Sequence, residues 1–374
     1  MKQNLTFIVW PAIAGLLAAL LILDRWVLPQ VPANELAKAA PVTYAAAVRA
    51  ATPSVVNIYT AKLVTESRSP LVDDSGFRKL TRPKPLRQSI ERSLGSGVIM
   101  TERGHILTNN HVIAGAVAIQ VMLQDGRSAK AIVIGTDSAT DLAVLQAELS
   151  ELQPMAPGDS DAIQVGDVVL AIGNPLGFGH SVTQGIVSAL GRYGLHLNTY
   201  EDYIQTDATI YQGNSGGALI DTQGRLLGIN TLIYTPNSAT ERGTTGIGIN
   251  LAIPVNLATF VMQDLIEYGE VIRGWLGVVV EPISTIPAMG SGRQPLEVKV
   301  VAPNSPAQKA GVQVGDIITH IDDEAVQDGR LAMHRIAMLR PGDTVGITLL
   351  RGQQSFELRA VLGVLNQSKR KREE

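Results

Sequence analysis

Between residues 95 and 230 the chain alternates short apolar segments with turn signals, and no long helical period interrupts them. The segments lie at 98–100, 106–108, 119–123, 131–134 and 142–145, then at 168–172, 186–190, 218–220 and 226–229. Each has the length of a strand rather than a helix. Asp125-Gly126 and Asp221-Thr222-Gln223-Gly224 between them read as hairpin turns. Many short strands at regular spacing leave a sandwich or a closed barrel as the available architectures.

The chain of 374 residues exceeds one typical domain and suggests two with an appendage. A hydrophobic content of 45% beside 17% charged residues describes a globular protein. The net charge of −3 argues against a general nucleic-acid binder. With no cysteine, structural disulfides, thiolate metal sites and thiol catalysis are excluded.

Residues 5–23 carry no charge, follow Lys2 and end at Asp24 and Arg25. At about 1.5 Å per residue such a helix approaches the roughly 30 Å hydrocarbon core. A single span is therefore expected, with a cytoplasmic N-terminus and the rest of the chain on the far side. The competing reading is a cleaved signal peptide with Ala37-Lys38-Ala39 as its site. The anchor is assigned to 1–28 and a Pro-containing linker to 29–43. Residues 65–92 read as a long charged loop. Pro254 opens an amphipathic helix that ends near Tyr268-Gly269, and 256–273 connect to a smaller mixed α+β domain at 274–363. A charged tail fills 364–374.

Gly213-Asn214-Ser215-Gly216-Gly217 offers a serine whose neighbours let the backbone turn sharply and approach a ligand. A serine nucleophile needs a base, and N–H donors for the oxyanion. Alone, the run also fits an ordinary turn. Of six histidines, His111 stands apart: it follows Leu107-Thr108-Asn109-Asn110 at the exit of an apolar strand. Asp141 heads the apolar strand Leu142-Ala143-Val144-Leu145, where a carboxylate needs a partner such as an imidazole N–H or a backbone N–H. The order His111, Asp141, Ser215 is that of chymotrypsin-type double β-barrels.

Thr108-Asn109-Asn110-His111-Val112, Thr140-Asp141-Leu142-Ala143-Val144-Leu145, Gly173-Asn174-Pro175 and Gly213-Asn214-Ser215-Gly216-Gly217-Ala218-Leu219 together resemble the signature blocks of the HtrA/Deg serine proteases. The likeness runs from Tyr44 to Gly363. It is strongest to membrane-anchored members with a single PDZ domain, through Tyr200-Glu201-Asp202-Tyr203-Ile204-Gln205 and Val271-Ile272-Arg273-Gly274-Trp275-Leu276-Gly277-Val278. The resemblance implies a mostly β fold: a chymotrypsin-like double barrel at 44–255, one α+β PDZ domain and an N-terminal transmembrane helix. It implies serine endopeptidase activity without cofactor or metal. His111, Asp141 and Ser215 would be catalytic, with Gly213, Asn214 and Ser215 around the oxyanion hole. Thr209, Ile210, Ile249 and Leu251 are candidates for the S1 pocket or for barrel packing. Gly274, Trp275, Leu276 and Gly277 would form the carboxylate-binding loop, and Val278, Met333 and Ala337 the peptide groove. Arg192, with Gln205 nearby, would relay the PDZ state or be a solvated surface arginine.

The partners so implied are C-termini of misfolded outer-membrane proteins, an anti-sigma factor substrate and the bacterial inner membrane, with a homotrimer facing the periplasm. A general quality-control protease and a proteolytically idle PDZ adaptor are the alternatives. Three departures from the family pattern stand out: Tyr211-Gln212 before the serine run, Gly246-Ile247 as an extra pair, and Leu176 after Gly173-Asn174-Pro175.

Overall fold

A computed structural model of the chain describes residues 3–23, 43–65, 88–174, 179–195, 197–211, 213–234, 249–283, 295–326 and 328–365. Nearly all of the linker, most of the charged loop, the end of the tail, and Leu176, Gln212, Gly246 and Ile247 lie outside the described residues. Two compact units result, 1–44 and 45–374.

The first unit holds α1 (Gln3–Ile22), 20 residues with Pro11 inside. Its side chains are described from Trp10 onward. Among the described residues no helix is long and apolar enough to cross a membrane. The backbone length thus fits the expected anchor, while the described side chains do not by themselves make up a span.

The second unit starts with α2 (Ala45–Ala51) and continues into two closed six-stranded barrels. The first runs in the order β1 (Val55–Thr65), β2 (Gln88–Ile99), β3 (His105–Asn109), β6 (Leu142–Ala147), β5 (Ser128–Asp137) and β4 (Ala116–Met122). The second runs β10 (Ala218–Ile220), β11 (Leu226–Tyr234), β12 (Ile249–Pro254), β9 (Tyr203–Thr206), β8 (Ser181–Arg192) and β7 (Val168–Gly173). Closure pairs every strand on both sides, which removes the exposed edges of an open sheet. Val56, Ile58, Ile106 and Leu145 fill the first barrel, and Val169, Ile204, Leu219 and Ala252 the second. Gly126 and Gly224 take the positive φ values, 88° and 86°, that the two expected hairpin turns require. Each apolar segment marked in the sequence lies in or overlaps a strand. The short β9, four residues, and β12 are additional.

A single helical turn, α3 (Asn110–Ile113), follows β3 directly. After Pro254 comes α4 (Val255–Tyr268), closed by Gly269 at φ 76° with its N–H on Leu265 O. It buries Val255, Leu257, Val261 and Leu265 against strands of both barrels.

The smaller domain pairs β13 (Gly274–Trp275) with β20 (Gly363–Val364). Its main sheet runs β14 (Val278–Pro282), β15 (Leu296–Val301), β16 (Ile317–Ile321), β18 (Thr344–Arg351) and β19 (Gln354–Val361), with β17 (Glu324–Ala325) on β16. Two helices cover it, α5 (Pro306–Ala310) and α6 (Gly329–Met338). The Asp328 side chain caps α6 by accepting from the N–H groups of Arg330 and Leu331. Leu276, Leu296, Val298, Ile318, Ile336 and Leu349 form its core.

Candidate active site

Antiparallel pairing sets Asn109 of β3 opposite Leu142 of β6. The turn leaving β3 and the residue entering β6 are therefore neighbours, which brings His111 to Asp141. His111 lies in α3 rather than on the strand itself, and its side chain is 44% exposed, open to a substrate.

Asp141 has φ 61°, the left-handed region that Asp tolerates better than most residues. That turn lets one residue accept at both ends. Its carbonyl accepts from Asn110 N at 3.0 Å and Asn109 Nδ2 at 3.2 Å. Its carboxylate accepts from His111 N at 2.9 Å, His111 Nδ1 at 2.6 Å and Thr231 Oγ1 at 3.2 Å. Both partners anticipated for a buried carboxylate, imidazole and backbone N–H, are present. Because the carboxylate accepts, Nδ1 carries the proton and Nε2 presents the lone pair.

Ser215 is half-buried, and its Oγ donates to the carbonyl of Thr231 at 2.6 Å rather than to His111. Thr231, which the sequence did not single out, thus touches both the carboxylate and the serine. Gly213 has φ 98° and Gly216 φ 83°. A Cβ on Gly216 would lie 2.1 Å from Ser96 O, so only glycine fits there. Ser96 ties the loop down: its N–H donates to Ser215 O at 2.9 Å and its Oγ to Gly213 O at 2.7 Å, while Asn174 N donates to that Oγ at 3.0 Å. The N–H groups of Gly213 and Ser215 donate to no described residue. Asn214 is fully buried between them, and neither its Oδ1 nor its Nδ2 has a partner among the described residues.

The four S1 candidates divide. Ile210 and Leu251 are fully buried in the second barrel, Ile249 is half-buried and Thr209 is exposed. Ile210 N donates to Asn250 Oδ1 at 3.1 Å, which locks that wall to β12.

In the smaller domain β14 is the outer strand of its sheet, so one edge is open to an added strand. Leu276 is buried and Gly277 has φ 85°. Neither of their N–H groups donates to a described residue, as a carboxylate-binding turn requires. Met333 and Ala337 lie on α6, Met333 half-buried and Ala337 buried.

Arg192 Nε donates to Gln205 Oε1 at 2.8 Å, so the two sensor candidates are partners. The following loop is knitted by the buried Glu201 carboxylate, which accepts from the N–H groups of Leu195, Leu197 and Asn198 at 2.8, 2.6 and 3.2 Å. Tyr200 N donates to Ala139 O at 2.9 Å, in the turn that leads to Asp141. Asp137 in that turn accepts from Thr140 Oγ1 at 2.5 Å and from Arg273 Nη2 at 2.5 Å and Nη1 at 3.2 Å. Arg273, the last residue before the smaller domain, is only 2% exposed and lies 4.6 Å over the Tyr200 ring. The only sequence signal for it was its place beside Gly274-Trp275-Leu276-Gly277.

A trypsin-like serine peptidase carrying one PDZ domain is what two barrels, this constellation and the edge-stranded smaller domain define. Residues 95–229 match the trypsin-like peptidase domain family and 274–362 the PDZ domain family. The serine endoprotease DegS of Escherichia coli is 41% identical over 326 residues, 86% of this chain and 86% of that protein. A probable periplasmic serine protease do/HhoA-like of Haemophilus influenzae is 40% identical, covering 83% of this chain and 69% of that protein. Among solved structures, the HtrA-type protease AlgW with a decapeptide is 46% identical, with TM-score 0.67, covering 87% of this chain and 99% of that chain. The chain belongs to the HtrA-type serine proteases.

Proposed function

We propose that this endopeptidase is a periplasmic stress sensor, tethered to the inner membrane by α1, whose activity depends on a peptide bound to its PDZ domain. The activating ligands are C-termini of misfolded outer-membrane proteins, and the substrate is an anti-sigma factor. Kinship to DegS and AlgW supports this, as does the decapeptide in the AlgW structure. The homotrimer expected from the sequence belongs to the same reading.

The observation that carries it is the resting serine loop. Ser215 Oγ is committed to Thr231 O, and the Asn214 amide is buried without partners among the described residues. An unsatisfied buried polar group costs roughly 1–3 kcal/mol. A rearrangement that satisfies Asn214 and frees Ser215 therefore recovers free energy toward the active loop. The route from the PDZ domain runs through α6, the Glu201-knitted loop and the Arg192–Gln205 pair.

In the active form Ser215 Oγ rotates to His111 Nε2 and attacks the peptide carbonyl carbon, and its proton passes to Nε2. Asp141 holds the ring and stabilises the imidazolium. The oxyanion receives the N–H groups of Gly213 and Ser215. Collapse expels the amine, which takes the proton from Nε2, and water then hydrolyses the acyl-enzyme by the same proton path. Cleavage of candidate anti-sigma substrates, assayed with and without porin-like C-terminal peptides, tests the proposal. Equal cleavage in both would contradict it.

A further inference from the structure

His334 lies on the PDZ groove helix α6, next to Met333, yet its ring is buried against the protease domain. Its Nε2 stands 3.8 Å from Asp202 Oδ2, too far for a hydrogen bond. Its Nδ1 is buried without a partner among the described residues. The Tyr200 ring lies 6.2 Å away, centroid to centroid. Asp202 and Tyr200 both belong to the loop between β8 and β9, so the ring's surroundings come from the other domain. The charged groups around it are Asp202 with Asp161 behind it, Arg273 from the connecting segment, and Arg335 on its own helix, which pairs with Glu324.

A neutral imidazole suits this site better than an imidazolium. Protonation places an N–H on Nδ1, where no described residue offers an acceptor, and sets a positive charge near Arg273 and Arg335. Burial accordingly holds His334 below the ordinary histidine value, against the attraction of Asp202. Undocking returns the ring to water.

We propose that His334 makes the docking of α6 on the protease loop pH-dependent, with acid releasing the PDZ domain. Its consequence, a lower requirement for activating peptide in acid, rests on the function proposed above. The docked state binds the His334 proton less readily than the free state. Docking is therefore complete above about 6.5, the free value, and weakens as pH falls below it. Burial also raises the Asp202 carboxyl, which favours docking in acid and so opposes release by His334.

The test is amide hydrogen exchange of the full chain without peptide, across 329–338 and 197–203, between pH 7.5 and 5.0 and corrected for intrinsic rates. Protection should fall in the wild type by about tenfold for each unit separating the docked and free values. It should stay level or rise in His334→Gln, where only Asp202 is left to titrate, and fall further in Asp202→Asn, which loses the attractive charge. Constant protection in the wild type overturns the inference, as does an equal fall in His334→Gln. A fall confined to the wild type and Asp202→Asn, with no peptide stimulation at any pH, supports the latch while removing the function proposed above.

Discussion

The Ser215 hydroxyl donates to the Thr231 carbonyl at 2.6 Å, while the Thr231 hydroxyl donates to the Asp141 carboxylate at 3.2 Å. One residue of β11 therefore holds the serine and the carboxylate together from the second barrel, although Asp141 belongs to the first. Thr231→Val removes the bond to the carboxylate and keeps the carbonyl. A hydrogen bond to a charged group contributes about 1.5–3 kcal/mol, so kcat/KM with saturating peptide should fall by about 10–100-fold. An unchanged value would show that Asp141 needs only His111.

Removing the nucleophile or the base should cost far more. Ser215→Ala and His111→Ala should each lower kcat by about 10⁴–10⁶-fold, and the double variant should be scarcely worse than either alone, because the groups act as one unit. Peptide hydrolysis with correction for contaminating protease measures both.

Arg192→Ala breaks the contact with Gln205 on the surface of the second barrel. Peptide stimulation should disappear while the unfolding free energy from urea titration stays within about 0.5 kcal/mol of wild type, as for a surface substitution. Unchanged stimulation would make Arg192 a solvated arginine and nothing more.

Arg273 and Asp137 form an ion pair with 2% and 6% of their side chains exposed. Arg273→Met strands the carboxylate and should destabilise the protease unfolding transition by about 3–5 kcal/mol. Arg273→Met with Asp137→Leu should recover most of that loss, since replacing both partners by apolar groups is often neutral. Urea titration followed by circular dichroism distinguishes the two.

The barrel strands were legible as short apolar runs bounded by turn signals, because β3, β6 and β7 are almost wholly buried. β9 escaped because four residues carry too little periodicity. Order and neighbours marked His111, Asp141 and Ser215 as candidates, and the structure brings His111 to Asp141 at 2.6 Å while Ser215 Oγ bonds Thr231 O. Thr231 was not legible, since a threonine inside an apolar strand carries no mark of which way its hydroxyl points. His334 and Arg273 were invisible for a different reason. Their acidic neighbours, Asp202 and Asp137, lie more than 100 residues away in the sequence, so only tertiary packing brings them together. The S1 candidates show the limit of apolarity as a guide, because Ile210 and Leu251 fit the barrel core as well as a pocket wall.

In the proposed function Ser215 is a nucleophile whose reactivity waits on the PDZ domain. Fluorophosphonate labelling of the full chain, with and without a saturating porin-like C-terminal peptide, measures this most directly. Labelling should be slow without peptide, accelerate when peptide is added and vanish in Ser215→Ala. Equal labelling rates in both conditions, or no labelling even with peptide, would contradict the account.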